Sequence, residues 1–442
     1  MSAKRTGLYL AVLISAAAYA SLAYLVDRTD FRLLLFVYLL LFAAFLFLYH
    51  FYAATHKKLL LSVSVLFRLV FLLSVPVLSN DYTRFIWDGR LMLEGINPFM
   101  FLPEELAGSR LQEVIDPENV LYPAMGSLQP GNYTCYPPLN QLVFWLASCF
   151  DNNSILMNIV WMRLFIILTD IGLIWIGMKI LRMLGLSASA ILLYALNPLV
   201  IIELSGNLHF EGFMLFLLLL AFYLLFLERW KLSALFFAFS VSVKLIPLLL
   251  LPLLFKKLGI KKFGIYTFLV ILVNVVLFLP FLSEGLLANF WSSIDLYFRK
   301  FEFNASLYYI VRAIGYEAVG WNIIQKAGPY MALIVFLAAM LFAFLADNKN
   351  PGKLIRSSMF LLSIYYFMAT TVMPWYILSI LVFGIFTQYR YSLLWTFSVI
   401  LSYYAYSQPE WKENLWVIFM EYLPVYTLLI FELLNRRTNK FV

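Results

Sequence analysis

LLLFVYLLLFAAFLFLYHFYAA, residues 33–54, runs for 22 residues without an Asp, Glu, Lys or Arg. A helix rises about 1.5 Å per residue, so such a stretch crosses the ~30 Å hydrocarbon core of a bilayer. The same reading applies at residues 7–26, 59–79, 156–178, 187–204, 208–227, 263–283, 328–346, 355–372, 391–406 and 415–434. Residues 232–255 are apolar but interrupted by Lys244 and Pro247, which predicts two short helices that enter and return; 375–386 is a shorter run. The count comes to about 12–14 spans. Composition agrees: 63% of the 442 residues are hydrophobic and 13% charged, with mean hydropathy +0.87. Soluble domains carry about 45–50% apolar and roughly 25% charged residues. A water-soluble enzyme, a disordered chain and a nucleic-acid-binding module are excluded. The expected fold class is an all-α polytopic membrane protein.

The formal charge of +8 is unevenly placed. Lys4/Arg5, His56–Lys58, Lys179/Arg182, Arg229/Lys231, Lys256–Lys262, Lys349/Lys353/Arg356, Arg390 and Arg436/Arg437 fall on one side, which reads as cytoplasmic. That alternation holds if Pro137–Phe150 dips into the membrane without crossing, or if one of the spans is misjudged. Residues 80–136 form a long loop on the other side, where eight acids against three bases leave a net −5. The expected organisation is a two-span extension at 1–58, a catalytic module at 59–310 and C-terminal spans at 311–442. The N-terminal run reads as a retained first span, with no small-residue cleavage site after a short core. Cys135 and Cys149 make no disulfide framework, and three histidines are too few for a multi-histidine metal site.

After the third span comes NDYTRFIWDGRLMLEGINPF, residues 80–99. At 100° per residue Tyr82, Phe85, Ile86, Gly89, Met92 and Leu93 share one arc, with Asp81, Arg84, Trp87, Asp88, Arg90 and Glu94 on the rest. The pattern predicts an amphipathic helix lying on the outer membrane surface, ended by Gly95 and Pro98. Asp81, at the membrane–water boundary, is a candidate general base; the structural alternative is a helix cap with a solvated Arg84–Asp88 pair. Glu203, His209 and Glu211 form a second group at an outer span–loop–span junction, where ionisable residues are costly; the alternative is a polar turn held by Asn197 and Asn207. Lys244, beside a proline break, is a candidate for binding an anion, against a snorkelling lysine. Arg163 and Asp170, two turns apart in one span, read as a structural pair, and Arg68 is open between structure and site.

The segment Asp81-Tyr82 … Trp87-Asp88-Gly89-Arg90 … Gly95-Ile96-Asn97-Pro98-Phe99 resembles the first external loop of GT-C-type glycosyltransferases, closest to bacterial polyprenyl-phosphate-mannose-dependent mannosyltransferases. Tyr136-Pro137-Pro138-Leu139, Asn197-Pro198-Leu199 … Asn207-Leu208-His209, Lys244 … Pro247 with Pro252, Phe303-Asn304-Ala305-Ser306-Leu307-Tyr308-Tyr309 and Pro374-Trp375-Tyr376 follow in the same order. The chain departs from the family at Met373, where a histidine often precedes Pro-Trp-Tyr, and at His209-Phe210-Glu211, where the family's turn is closer to His-Asn-Asp. The resemblance implies a GT-C fold whose long external loop carries surface helices, in a bacterial inner membrane with its site facing the periplasm or exterior. It implies inverting transfer of a hexose, mannose favoured, from a polyprenyl phosphate to a glycan, glycolipid or protein acceptor, with Asp81 as catalytic base. Asp88, Arg90, Asn97, His209, Glu211 and Lys244 are then expected to contact substrate, with Lys244 and Arg90 at the phosphate.

Elementary chemistry is compatible with that reading. A lipid phosphate is already a good leaving group, so the acceptor oxygen needs a base and the departing phosphate a positive charge. The sequence identifies no cofactor with certainty; a Mg²⁺ or Mn²⁺ requirement stays open, since Asp81, Asp88 and Glu211 offer oxygen ligands that nothing in the sequence places together. The rivals are a lipid or solute transporter, which would more naturally show internal repeats, and a polysaccharide polymerase or ligase using a diphosphate-linked donor.

Overall fold

A chain inside a bilayer has no water to satisfy its backbone, so it closes its hydrogen bonds within helices. The structure is a computed structural model describing residues 3–438; the side chains of Lys4, Arg436 and Arg437 lie outside the described residues. Among the described residues there is no strand, only an isolated parallel bridge between Phe303 and Thr371. Six helices are long and apolar enough to cross alone: Arg5–Tyr24, Phe31–Tyr52, Ile155–Met183, Ile246–Phe281, Ile324–Leu345 and Leu415–Asn435. A seventh is a pair, Ala188–Ala195 and Pro198–Gly206, bent by 56°. The protein is an all-α polytopic membrane protein.

Fewer helices cross alone than the 12–14 read from hydropathy, because several apolar windows fold as pieces too short for the core. Glu211–Phe226, Trp230–Val243 and Pro374–Gly384 are of this kind. The break at Lys244 is real: its backbone is extended, ending the helix Trp230–Val243. The second piece, Ile246–Leu254, does lead back. At Gly259, whose φ of +70° breaks the helix, the chain reverses so that Phe263 meets Phe255. The following residues run alongside Trp230–Val243, Tyr266 meeting Ser233 and Asn274 the Ala238 carbonyl. Ile155–Met183 is central, packed against Glu211–Phe226 and Pro138–Phe150, whereas Ile246–Phe281 is peripheral and exposes Phe268, Ile271 and Val275.

Buried charges tie the interior. Arg68 and Asp170 form an ion pair with both side chains fully buried, and Tyr194 donates to Asp170. Arg163 does not pair with Asp170; it donates to the carbonyls of Leu72, Ser74, Ser205 and Gly206. Removing one partner of such a buried pair costs roughly 3–5 kcal/mol.

The helix Asp81–Leu93 forms over the expected residues but is no surface helix. Every residue from Thr83 to Leu91 is buried, because the following loop covers the charged face while Pro138–Phe150 covers the apolar one. Gly89 permits the second contact: a Cβ there would lie 2.4 Å from the Phe144 carbonyl oxygen. Pro138–Phe150 has 13 residues, about 20 Å of helix, too short to cross.

Candidate active site

A cavity of about 960 Å³ lies where the external loop meets the broken helices, and Asp81, His209, Glu211 and Lys244 all line it. Asp81 is the first residue of its helix, yet its carboxylate does no capping. Asn80 turns its amide to the carbonyls of Ala124 and Met125, and the Asp81 side chain, 26% exposed, faces the cavity. Gln129 Nε2 donates to Asp81 Oδ1 at 3.3 Å and the Tyr136 hydroxyl to Oδ2 at 3.5 Å. Burial pushes this carboxyl up to about 6; Lys244 pulls it down and Glu211 pushes it further up.

His209 sits 3.9 Å from Asp81, Nδ1 to Oδ2, and its Nε2 lies 3.5 Å from Glu203 Oε2. Two local irregularities put it there. Ile201–Gly206 is a π-helical turn, a form common at functional sites, and Leu208 has φ +63°. The ring stacks on Trp375 at 3.5 Å between centroids and 19° between planes. Burial drives the imidazole well below its usual pKa, so it is neutral at physiological pH. Glu203 is fully buried and accepts from Tyr403 at 2.7 Å and Asn207 at 3.0 Å.

Lys244 is ion-paired with Glu211 and lies 4.6 Å from the centre of the Tyr376 ring. From Lys244 the cavity wall turns apolar along Leu245, Leu248 and Leu249, faced by Met331, Val335 and Phe336 of the helix Ile324–Leu345. Leu248 and Phe336 are exposed. The cavity thus has a polar wall around Asp81 and an apolar wall next to Lys244. The segments Phe303–Tyr309 and Pro374–Tyr376, distant in sequence, are joined here: Phe303 N donates to the Thr370 carbonyl and Val372 N to the Phe303 carbonyl. Asn304 (φ +47°) is fixed by Glu421, which accepts from its amide and from the Trp395 indole.

Three expected substrate contacts lie elsewhere. Asp88 is fully buried, accepting from Arg84 Nε at 2.7 Å and Gln141 Nε2 at 2.9 Å. Arg90 is buried against the Ile115 carbonyl at 2.8 Å. Asn97 donates to the Phe281 carbonyl and to Ser283. None of the three lines the cavity. With Asp88 engaged by Arg84 and Gln141, the three carboxylates considered as oxygen ligands for Mg²⁺ or Mn²⁺ do not converge, and among the described residues no group of three or more His, Cys, Asp or Glu is arranged to hold a metal ion. Gln129, Glu302 and Trp411 line the cavity without a sequence signal to mark them, while Trp375, Tyr376 and Met373 were visible only within a motif.

The family model described as Alpha-(1->6)-mannopyranosyltransferase, N-terminal domain, of the MptA_B family matches residues 20–258, more than half of the chain and inclusive of Asp81, His209, Glu211 and Lys244. No curated protein matches the sequence.

Proposed function

The chain belongs to the MptA_B family of alpha-(1->6)-mannopyranosyltransferases, and on that premise we propose that it transfers mannose from a polyprenyl-phosphate donor to a glycan or glycolipid acceptor, with Asp81 as general base. The observation that carries this reading is the Asp81 carboxylate. It faces a cavity whose polar wall suits a sugar and whose apolar wall, with Leu248 and Phe336 exposed along it, suits an isoprenoid chain. The family match favours transfer chemistry over transport.

The acceptor hydroxyl oxygen attacks the anomeric carbon and its proton passes to Asp81. The bond from that carbon to the phosphate oxygen breaks, and the electron pair leaves with the phosphate. A single displacement inverts the centre, so an α linkage requires a β-linked donor. Lys244 is the cation beside the apolar wall, and phosphate oxygens would compete with Glu211 for it. Glu211 would otherwise quench its charge. His209, neutral and stacked on Trp375, holds the cavity side of Asp81. We assign the acidic loop and this site to the non-cytoplasmic face, opposite the Lys and Arg clusters, a reading that the GT-C resemblance supports for a bacterial inner membrane.

Membranes carrying Asp81→Asn, given labelled polyprenyl-phosphate mannose and a mannoside acceptor, should lose at least about 10³-fold in turnover while still binding donor. Near-normal turnover would exclude Asp81 as the base.

A further inference from the structure

The cavity has polar groups that Asp81, His209 and Lys244 leave unexplained. Arg28, in the turn between the first two helices, lays its guanidinium over Tyr406 at 5.3 Å and Trp411 at 4.8 Å. Among the described residues it has no carboxylate within ion-pair distance. Both aromatic rings, Arg28, Glu410 and Glu413 line the same cavity as Asp81. The indole is 48% exposed and lies close to the catalytic end: a Cβ on Gly126 would meet Asn80 Nδ2 at 3.2 Å and the Trp411 ring at 3.9 Å. Glu410 and Trp411 have φ of +56° and +58°. Two adjacent non-glycine residues in that region are strained, and strain of this kind clusters at ligand clamps.

An exposed indole beside a phenol ring, guanidinium donors and a free carboxylate are groups that recognise a pyranose. The C–H face of the sugar lies on the indole, and its hydroxyls find donors and acceptors at the edge. An anion fits less well beside Glu410 and Glu413, which line the cavity together with Arg28. We propose that Arg28, Tyr406, Glu410 and Trp411 form the acceptor subsite, holding a neutral pyranose ring against Trp411 with its hydroxyl toward Asp81. This rests on the mannosyltransferase reading and names the side of the cavity that the acceptor enters. It leaves the wall at Lys244 to the donor.

The test separates binding from turnover. In an Asp81→Asn background, an octyl α-1,6-dimannoside is titrated and its contact with the protein read by saturation-transfer NMR. Adding Trp411→Ala should weaken binding about tenfold or more, Arg28→Ala about threefold, and Trp411→Phe should keep most of the affinity, guarding against misfolding. With Asp81 intact, Trp411→Ala should raise the acceptor KM about fivefold or more while the donor KM moves less than about twofold. Unchanged dimannoside affinity in Trp411→Ala, or a donor KM that rises with the acceptor KM, overturns the proposal. Dimannoside binding that depends on Trp411 without any mannosyl transfer would support a glycan subsite and defeat the transferase reading. Transfer that is indifferent to Trp411 would do the reverse.

Discussion

Asp81 owes its chemistry to where its carboxylate is held. At a pKa of about 6, against an ordinary aspartate value of 3.8, it is mostly ionised at pH 7 and binds a proton roughly a hundredfold more tightly than an exposed aspartate. The base form is present above that pKa and lost as pH falls through it. Acceptor-dependent kcat/KM should therefore be flat above about pH 7 and drop towards tenfold per pH unit below about 6, measured with a series of buffers on the purified protein. A profile level from pH 5 to 8 would remove the base from Asp81. The same residue shows what a sequence can reveal at this scale. Charges at apolar boundaries are rare, so Asp81, His209, Glu211 and Lys244 stood out, and the cavity gathers them. Asp88 and Arg90 were expected at the substrate through the family resemblance, but conspicuous charges also serve structure when buried. What separates the two cases is the partner, Gln141 for Asp88 and the Ile115 carbonyl for Arg90, and partners 53 and 25 residues away have no local signature.

At the scale of elements, the site depends on helices that stop, bend or pack unusually closely. The helix Asp81–Leu93 was legible within the stretch 80–99, since its 3.6-residue period and its Gly95 stop are local properties. Its surroundings were not: an amphipathic pattern tells which faces differ, not whether the polar face meets water or a covering loop. Gly89 is the point where that contact is tightest, with the Phe144 carbonyl carbon only 2.7 Å and Ser148 Oγ 2.6 Å from where a Cβ would lie. Gly89→Ala should push the helix off Pro138–Phe150 and cost about 1–3 kcal/mol, read as a lower thermal midpoint of the detergent-solubilised protein, with lost activity following from a displaced Asp81. A midpoint unchanged from wild type would show that the two helices give way freely. Left-handed residues at Leu208, Glu410 and Trp411 cost about 1–3 kcal/mol each, and nothing in their side chains advertises it, whereas Asn304 is of a type that adopts this region more readily.

Across the whole molecule, hydropathy gave the class and overstated the number of independent spans, because an apolar window does not reveal whether it is one long helix or a fragment closed by Lys244, Pro198 or Pro374. The charge asymmetry predicts sidedness directly. In a protein with Cys135 and Cys149 replaced by Ser, Glu113→Cys should react with a membrane-impermeant maleimide in intact cells and Lys261→Cys only after permeabilisation. The opposite pattern would turn the site to the cytoplasm. The Arg68–Asp170 pair, closed across 102 residues of chain, has a consequence during synthesis. At roughly 5–20 residues per second, Arg68 leaves the ribosome several seconds before its counter-ion exists. Arg68 lies in the last turn of the 13-residue helix Lys57–Leu69, and an unpaired arginine in a membrane helix costs up to about 2.5–3.5 kcal/mol on insertion scales, most at the helix centre. The expected consequence is that the third segment inserts stably only once Asp170 has been made, so that the order of translation becomes a step in building the interior beside the site.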